Sequence, residues 1–294
     1  MKKSEVYLVA AEDRGAGARR CLKHFPLPDY TNKTVYVKPN FNTADPSPGS
    51  THVDTLDALL EGVRAANAKK IVVGERSGPA VTAEVFEAKG LAALCGKYGA
   101  EVLNFETMPE AGWITVDRPG FHWPGGLQIP RAVLDADASV ATCCLKTHGF
   151  GGVFSCSLKL AVGLTPEDFH LLHDGPDMRK MIAEINVAYT PDLVIADAVE
   201  VFTDGGPMEG KRYRANLMLA GSDRIALDAV GLAVLKSVGS NSAIMDTPIF
   251  AQEQIVRAVE LGLGAAGPSE IEIVTDDEAS AQIAARVGEI LQKG

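Results

Sequence analysis

The chain has 294 residues, of which 38 are acidic and 28 basic, giving a formal net charge of −10. Apolar residues make up 46% and charged residues 22%, which excludes a disordered chain poor in core formers. The acidic balance argues against a sequence-independent nucleic-acid binder, which needs a broad basic face.

No segment reaches the roughly 18 uninterrupted apolar residues that a membrane span requires. The basic start, Met1-Lys2-Lys3, leads into an apolar run that ends at Glu12-Asp13-Arg14. This reads as a first strand rather than a signal peptide. Five cysteines (Cys21, Cys95, Cys143, Cys144 and Cys156) form no C-x-x-C pair. They point to a reduced protein in the cytoplasm.

In chain order, β-branched runs alternate with amphipathic stretches. Strands are expected over 6–10, 34–38, 70–74, 101–105, 139–145, 193–198, 215–220 and 270–274. Helices are expected over 15–25, 53–67, 82–98, 176–188, 224–238, 248–261 and 278–292. In 53–67, Val53, Leu56, Leu59, Leu60 and Val63 share one stripe, with Ser50 or Thr51 as the cap. Continuous apolar strands between helices predict an α/β fold with a mostly parallel sheet flanked by helices. Residues 1–294 form a single α/β domain in this reading, or two intimately packed lobes with a hinge near 165–191. The long stretch 106–128, rich in Gly and Pro, holds Trp113, Phe121 and Trp123. It is expected to pack on the body as an ordered cover.

Ligands of open α/β sheets bind beyond the carboxyl ends of the strands, so the residues there are the site candidates. One strand is followed by Lys38-Pro39-Asn40, another by Gly74-Glu75-Arg76-Ser77-Gly78. A third leads into Lys146-Thr147-His148 and the glycines Gly149, Gly151 and Gly152; a fourth leads into Asp197 and then Asp204. A lone lysine at a strand end ordinarily points to solvent. Several such groups at equivalent ends suggest a shared anion site, with glycine N–H groups approaching the ligand and Lys159 two turns further on.

These segments occur in a fixed order. Ser157-Leu158-Lys159-Leu160-Ala161-Val162-Gly163 follows them, then Gly205-Gly206-Pro207-Met208-Glu209-Gly210 and Ala220-Gly221-Ser222-Asp223-Arg224. The series resembles the DUF362 family across nearly the whole chain. Many members of that family carry a ferredoxin-like 4Fe-4S module, so the resemblance implies a redox or iron–sulfur protein partner as one option. This chain departs from it by lacking a cysteine run able to hold such a cluster, and by having Leu160 where the family tends to have asparagine.

The leading expectation is an enzyme acting on a small anionic substrate or cofactor bearing phosphate or carboxylate. His148, Lys146 and Asp197 are the catalytic candidates, with imidazole as acid or base. Lys38, Asn40, Ser77, Thr147, Gly151, Gly152, Lys159 and Asp204 are the binding candidates. Isomerisation, proton abstraction beside a carboxylate and a redox step all remain open, as do the cofactor and the oligomeric state. The alternative is a non-catalytic carrier for a metallocofactor or an iron–sulfur partner. Neither reading calls for nucleic acid or a membrane. His148, His170 and His173 suggest a minor metal option, and Asp197, Asp204 and Asp228 another. Gly262-Leu263-Gly264-Ala265-Ala266-Gly267 follows a helix rather than a strand, so it reads as a helix stop and not a dinucleotide loop.

Overall fold

A computed structural model of the chain describes residues 3–166, 172–173 and 175–294. The strands are β1 (Ser4–Ala10), β2 (Thr34–Lys38), β3 (Lys70–Glu75), β4 (Glu101–Asn104), β5 (Trp113–Val116), β6 (Leu127–Pro130), β7 (Ala138–His148), β8 (Val153–Ser155), β9 (Leu193–Gly205), β10 (Gly210–Gly221) and β11 (Ile271–Val274). Nine of them form one sheet in the order β11–β1–β10–β9–β7–β2–β3–β4, with β8 paired to β7. The sheet is parallel except for β10, which is antiparallel to β1 and β9, and the short return strand β8. All eight expected strands are present. β10 departs from the parallel expectation because the turn after Gly205 sends the chain straight back along β9.

Both faces of the sheet are covered. Val6 and Leu8 enter one hydrophobic cluster, Tyr7 and Val9 the other, as the two-residue period of a strand requires. This is why the strands read as continuous apolar runs. Helix Arg224–Val238 is almost wholly buried. Helices Arg14–His24 and Val53–Ala65 pack together on the other side of the molecule.

Three local expectations change. The stretch 82–98 is two helices, Thr82–Ala88 and Leu91–Lys97, because Gly90 takes φ +61° between them. His52, not Ser50 or Thr51, caps Val53–Ala65, its Nδ1 accepting the Asp54 N–H at 3.2 Å. Thr51 instead accepts the Asn40 N–H at 2.9 Å, and Ser50 donates to the Thr43 carbonyl. The cover at 106–128 carries β5 and leads into β6, and the two form an antiparallel pair. Trp123 is buried there, its indole N–H donating to the Met181 carbonyl at 3.1 Å. Part of the 165–191 stretch, where a hinge is expected, lies outside the described residues, and so does His170.

Candidate active site

Side chains from the carboxyl ends of β2, β3 and β7 converge on a small inner chamber of about 60 Å³. Its lining includes Lys38, Asn40, Glu75, Arg76, Cys144, Lys146, His148 and Lys159. A second, larger chamber of about 450 Å³ shares Asn42, Arg76, His148, Lys159 and Val162 with it. The outer chamber adds Trp123, Phe150, Leu172, His173 and Met208. It is mainly apolar and falls within the size range of small-molecule sites.

Lys38 and Glu75 form the floor. The Lys38 amine donates to Glu75 Oε2 at 2.5 Å and to the Pro39 carbonyl at 2.9 Å, and both side chains are fully buried. Glu75 also accepts the backbone N–H groups of Phe41 at 3.0 Å and Arg76 at 2.9 Å. Burial pulls the amine pKa down and pushes the carboxyl up. The close contact and the two N–H donors oppose both shifts and favour the ion pair. Gly163 permits this packing, since a Cβ there would stand 1.8 Å from Glu75 Oε1 and 2.9 Å from Lys38 Nζ.

Lys146 is equally buried but meets no carboxylate among the described residues. Its amine donates to the carbonyls of Pro48 at 2.8 Å and Gly49 at 2.5 Å, and to Asn40 Oδ1 at 3.2 Å. Three oxygens are what the three N–H bonds of an ammonium group need. Burial nonetheless lowers its pKa. Lys146 therefore gives the chamber positive charge, while its own donors are spent on the protein.

Lys159 differs from both. It lines both chambers and has no hydrogen-bond or ion-pair partner among the described residues. Burial, then repulsion from Lys146 and Arg76, lowers its pKa to about 7. It sits in the short helix Ser157–Leu160. That turn is anchored by Asp228, which accepts the Ser157 N–H at 2.7 Å and the Ser157 hydroxyl at 2.6 Å.

His148 follows Lys146 by two residues, so both face the same side of β7. Its Nδ1 accepts the Gly152 N–H at 3.2 Å, which leaves the neutral ring's proton on Nε2. Burial, aided by the charges of Lys159 and Lys146, holds its pKa far below the ordinary histidine value. His148 is thus a neutral hydrogen-bond donor rather than a ready acid–base group. It stacks at 6.5 Å between centroids on His173. A Cβ on Gly152 would lie 2.8 Å from His148 Nδ1 and 2.8 Å from Lys159 Cε, so only glycine lets these two side chains share the wall. The next residue, Val153, holds φ at +64°. A β-branched residue there is strained by roughly 1–3 kcal/mol, which the tight β7–β8 turn sustains.

The remaining candidates lie elsewhere. Thr147 points away from the chambers, its hydroxyl buried without a hydrogen-bond partner among the described residues. Ser77 donates its hydroxyl to the Phe41 carbonyl at 2.7 Å and braces the loop. Asp197 accepts from Arg14 Nε at 2.7 Å and from the Ser47 hydroxyl at 3.1 Å, and lines neither chamber. Asp204 is exposed and accepts from Asn241 at 3.3 Å. Gly151 is exposed, and its carbonyl accepts from Arg179. The N–H groups of Gly149 and Gly152 are engaged inside the protein, by the Gly206 carbonyl and by His148. Charge in the chambers therefore comes from side chains and not from those two N–H groups.

Glu75, Arg76 and Trp123 are wall residues that the sequence reading did not select. Among the described residues there is no group of three or more His, Cys, Asp or Glu able to hold a metal ion. All five cysteines are free and buried, and burial pushes the Cys144 thiol up to about 12. No described helix is long and apolar enough to cross a membrane.

A family model for a domain of unknown function, DUF362, matches residues 35–233, more than half of the chain. The chain belongs to the DUF362 family. The match starts on β2 and ends within Arg224–Val238, so it includes all the residues named above for the inner chamber. No curated protein matches the chain. Among solved structures, the lactate racemase apoprotein from Thermoanaerobacterium thermosaccharolyticum aligns with 97% of this chain and 90% of its own, at 15% identity and a TM-score of 0.45.

Proposed function

We propose that this DUF362 protein is an enzyme whose substrate is a small molecule with a carboxylate or phosphate at one end and an apolar body at the other. The anionic end enters the inner chamber, and the body lies against Trp123, Phe150 and Leu172 in the outer one. The observation that carries this reading is the charge imbalance of the wall. Lys146 and Lys159 line the inner chamber with no carboxylate in contact among the described residues, and the one carboxylate in its described lining is Glu75. Glu75 is committed to Lys38.

Like charges at close range in a partly dehydrated cleft repel by about 1 kcal/mol or more, and a bound anion relieves that cost. Catalysis rather than simple storage is supported by two perturbed groups in the same cleft, the Lys159 amine and the His148 imidazole. Such clusters are typical of reacting sites. His148 would donate from Nε2 to a substrate oxygen, and Lys159 would supply the charge or the lone pair that the substrate meets.

A thermal-shift panel tests the reading. Inorganic phosphate, acetate and aryl carboxylates such as phenyllactate are compared with their uncharged amides. An anion that binds only the native state raises the unfolding temperature by mass action. The expected order is aryl carboxylate above acetate, with no response to the amides. Equal responses to the amides and the acids would refute the anionic pocket.

A further inference from the structure

We propose that Lys159 is a nucleophilic amine that condenses with the carbonyl group of its substrate to form an imine. This deepens the preceding reading, on which it rests, by naming the substrate class: a carbonyl compound that also carries an anionic group, such as a 2-oxo acid with an apolar side chain.

Three lysines line the inner chamber, and their surroundings differ. Lys38 is bound to Glu75, and Lys146 is held by three oxygens. Both environments fit an ammonium ion, which has no lone pair to offer. Lys159 has neither kind of partner among the described residues, and the charged groups acting on it, Lys146 and Arg76, are both cations. A desolvated amine beside other cations is held unprotonated near neutral pH and becomes a nucleophile.

Position agrees with this chemistry. Lys159 lines both chambers, where an anionic end on one side and an apolar body on the other would place a central carbonyl. The glycine at 152 lets His148 lie against the Lys159 side chain. The neutral amine attacks the carbonyl carbon, its two protons leave with the carbonyl oxygen as water, and the C=N bond replaces C=O. No oxidant, reductant or external group is consumed.

Reductive trapping provides the test. The full-length protein is incubated at pH 8 with phenylpyruvate, reduced with borohydride and mapped by peptide mass spectrometry. In parallel, its unfolding temperature is measured with phenyllactate, which has the same ring and carboxylate without the carbonyl. The proposal expects one dominant adduct, at Lys159, lost in Lys159→Arg and in Lys159→Met, while the native protein is stabilised by phenyllactate. Stabilisation by phenyllactate without an adduct would overturn the imine and leave the anionic pocket standing. An adduct at Lys159 without phenyllactate stabilisation would support the imine and count against the anionic pocket. Labelling spread over many lysines, unchanged in Lys159→Arg and Lys159→Met, would overturn the imine, as would the absence of both signals, which would also remove the pocket.

Discussion

The floor and the far wall of the inner chamber hold the same residue type in opposite electrostatic states. On the floor, Lys38 is locked to Glu75 and to the Pro39 carbonyl. On the wall, Lys159 faces the cavity with two cations nearby and no acceptor among the described residues. The floor lysine contributes to holding β2 and β3 together. The wall lysine stabilises nothing visible in the fold, and a side chain retained in such a state is suited to something that arrives from outside.

The sharpest way to break this contrast is on the floor. Glu75→Gln keeps the shape but brings an amide N–H₂ among three donors, from Lys38, Phe41 and Arg76. It also leaves the Lys38 charge buried and unpaired, at a cost of roughly 3–5 kcal/mol. Chemical denaturation should show the midpoint falling accordingly. A loss below about 1 kcal/mol would mean that Lys38 is not held as an ion.

Lys146→Met should have an intermediate effect. It strands the Pro48 and Gly49 carbonyls and Asn40 Oδ1, and an unsatisfied buried acceptor costs about 1–3 kcal/mol. This variant is a poor probe of ligand binding, because a weaker response would reflect loss of the Asn40–Gly49 geometry as much as loss of charge.

Lys159→Met should cost the apo protein least of the three, and near neutral pH it should stabilise it, because Met has no charge to desolvate or neutralise. Its pH dependence separates it from the native chain. The folded Lys159 amine titrates at about 7 against 10.5 for the ordinary value. Between those values the unfolded chain binds more protons, so native stability gains from this group as pH rises from about 7 toward 10. Denaturation midpoints of native and variant protein should converge across that window, as the native protein gains. Parallel curves would show that Lys159 is not perturbed.

Much of this site was legible from position alone. The rule that ligands gather beyond strand ends points to Lys38, Lys146 and His148, and the structure brings all three to one chamber. The two-residue period of a strand also sets Thr147 apart: residues 146 and 148 share a face, so Thr147 points away. Asp197 looks like a site residue from its strand-end position, but it pairs with Arg14, 183 positions away, and nothing local announces that pairing. Glu75 carries a signal of its own, since β2 and β3 run side by side with Val37 opposite Val73, which brings the Lys38 amine within reach of Glu75. The outer chamber was hardest to foresee. Trp123 arrives from an irregular stretch whose path depends on contacts such as its bond to the Met181 carbonyl.

The central claim, that Lys159 is a perturbed amine protonated only below about pH 7 or beside a bound anion, is tested most directly by titrating phenyllactate into native and Lys159→Met protein by calorimetry from pH 6 to pH 9. Binding should favour the charged amine, so affinity in the native protein should be greatest below pH 7. Above it, affinity should fall by up to about tenfold per pH unit as a proton must be taken up. The variant should bind weakly at every pH, with no such slope. Tight binding by the variant, or a native affinity that does not change with pH, would contradict the account.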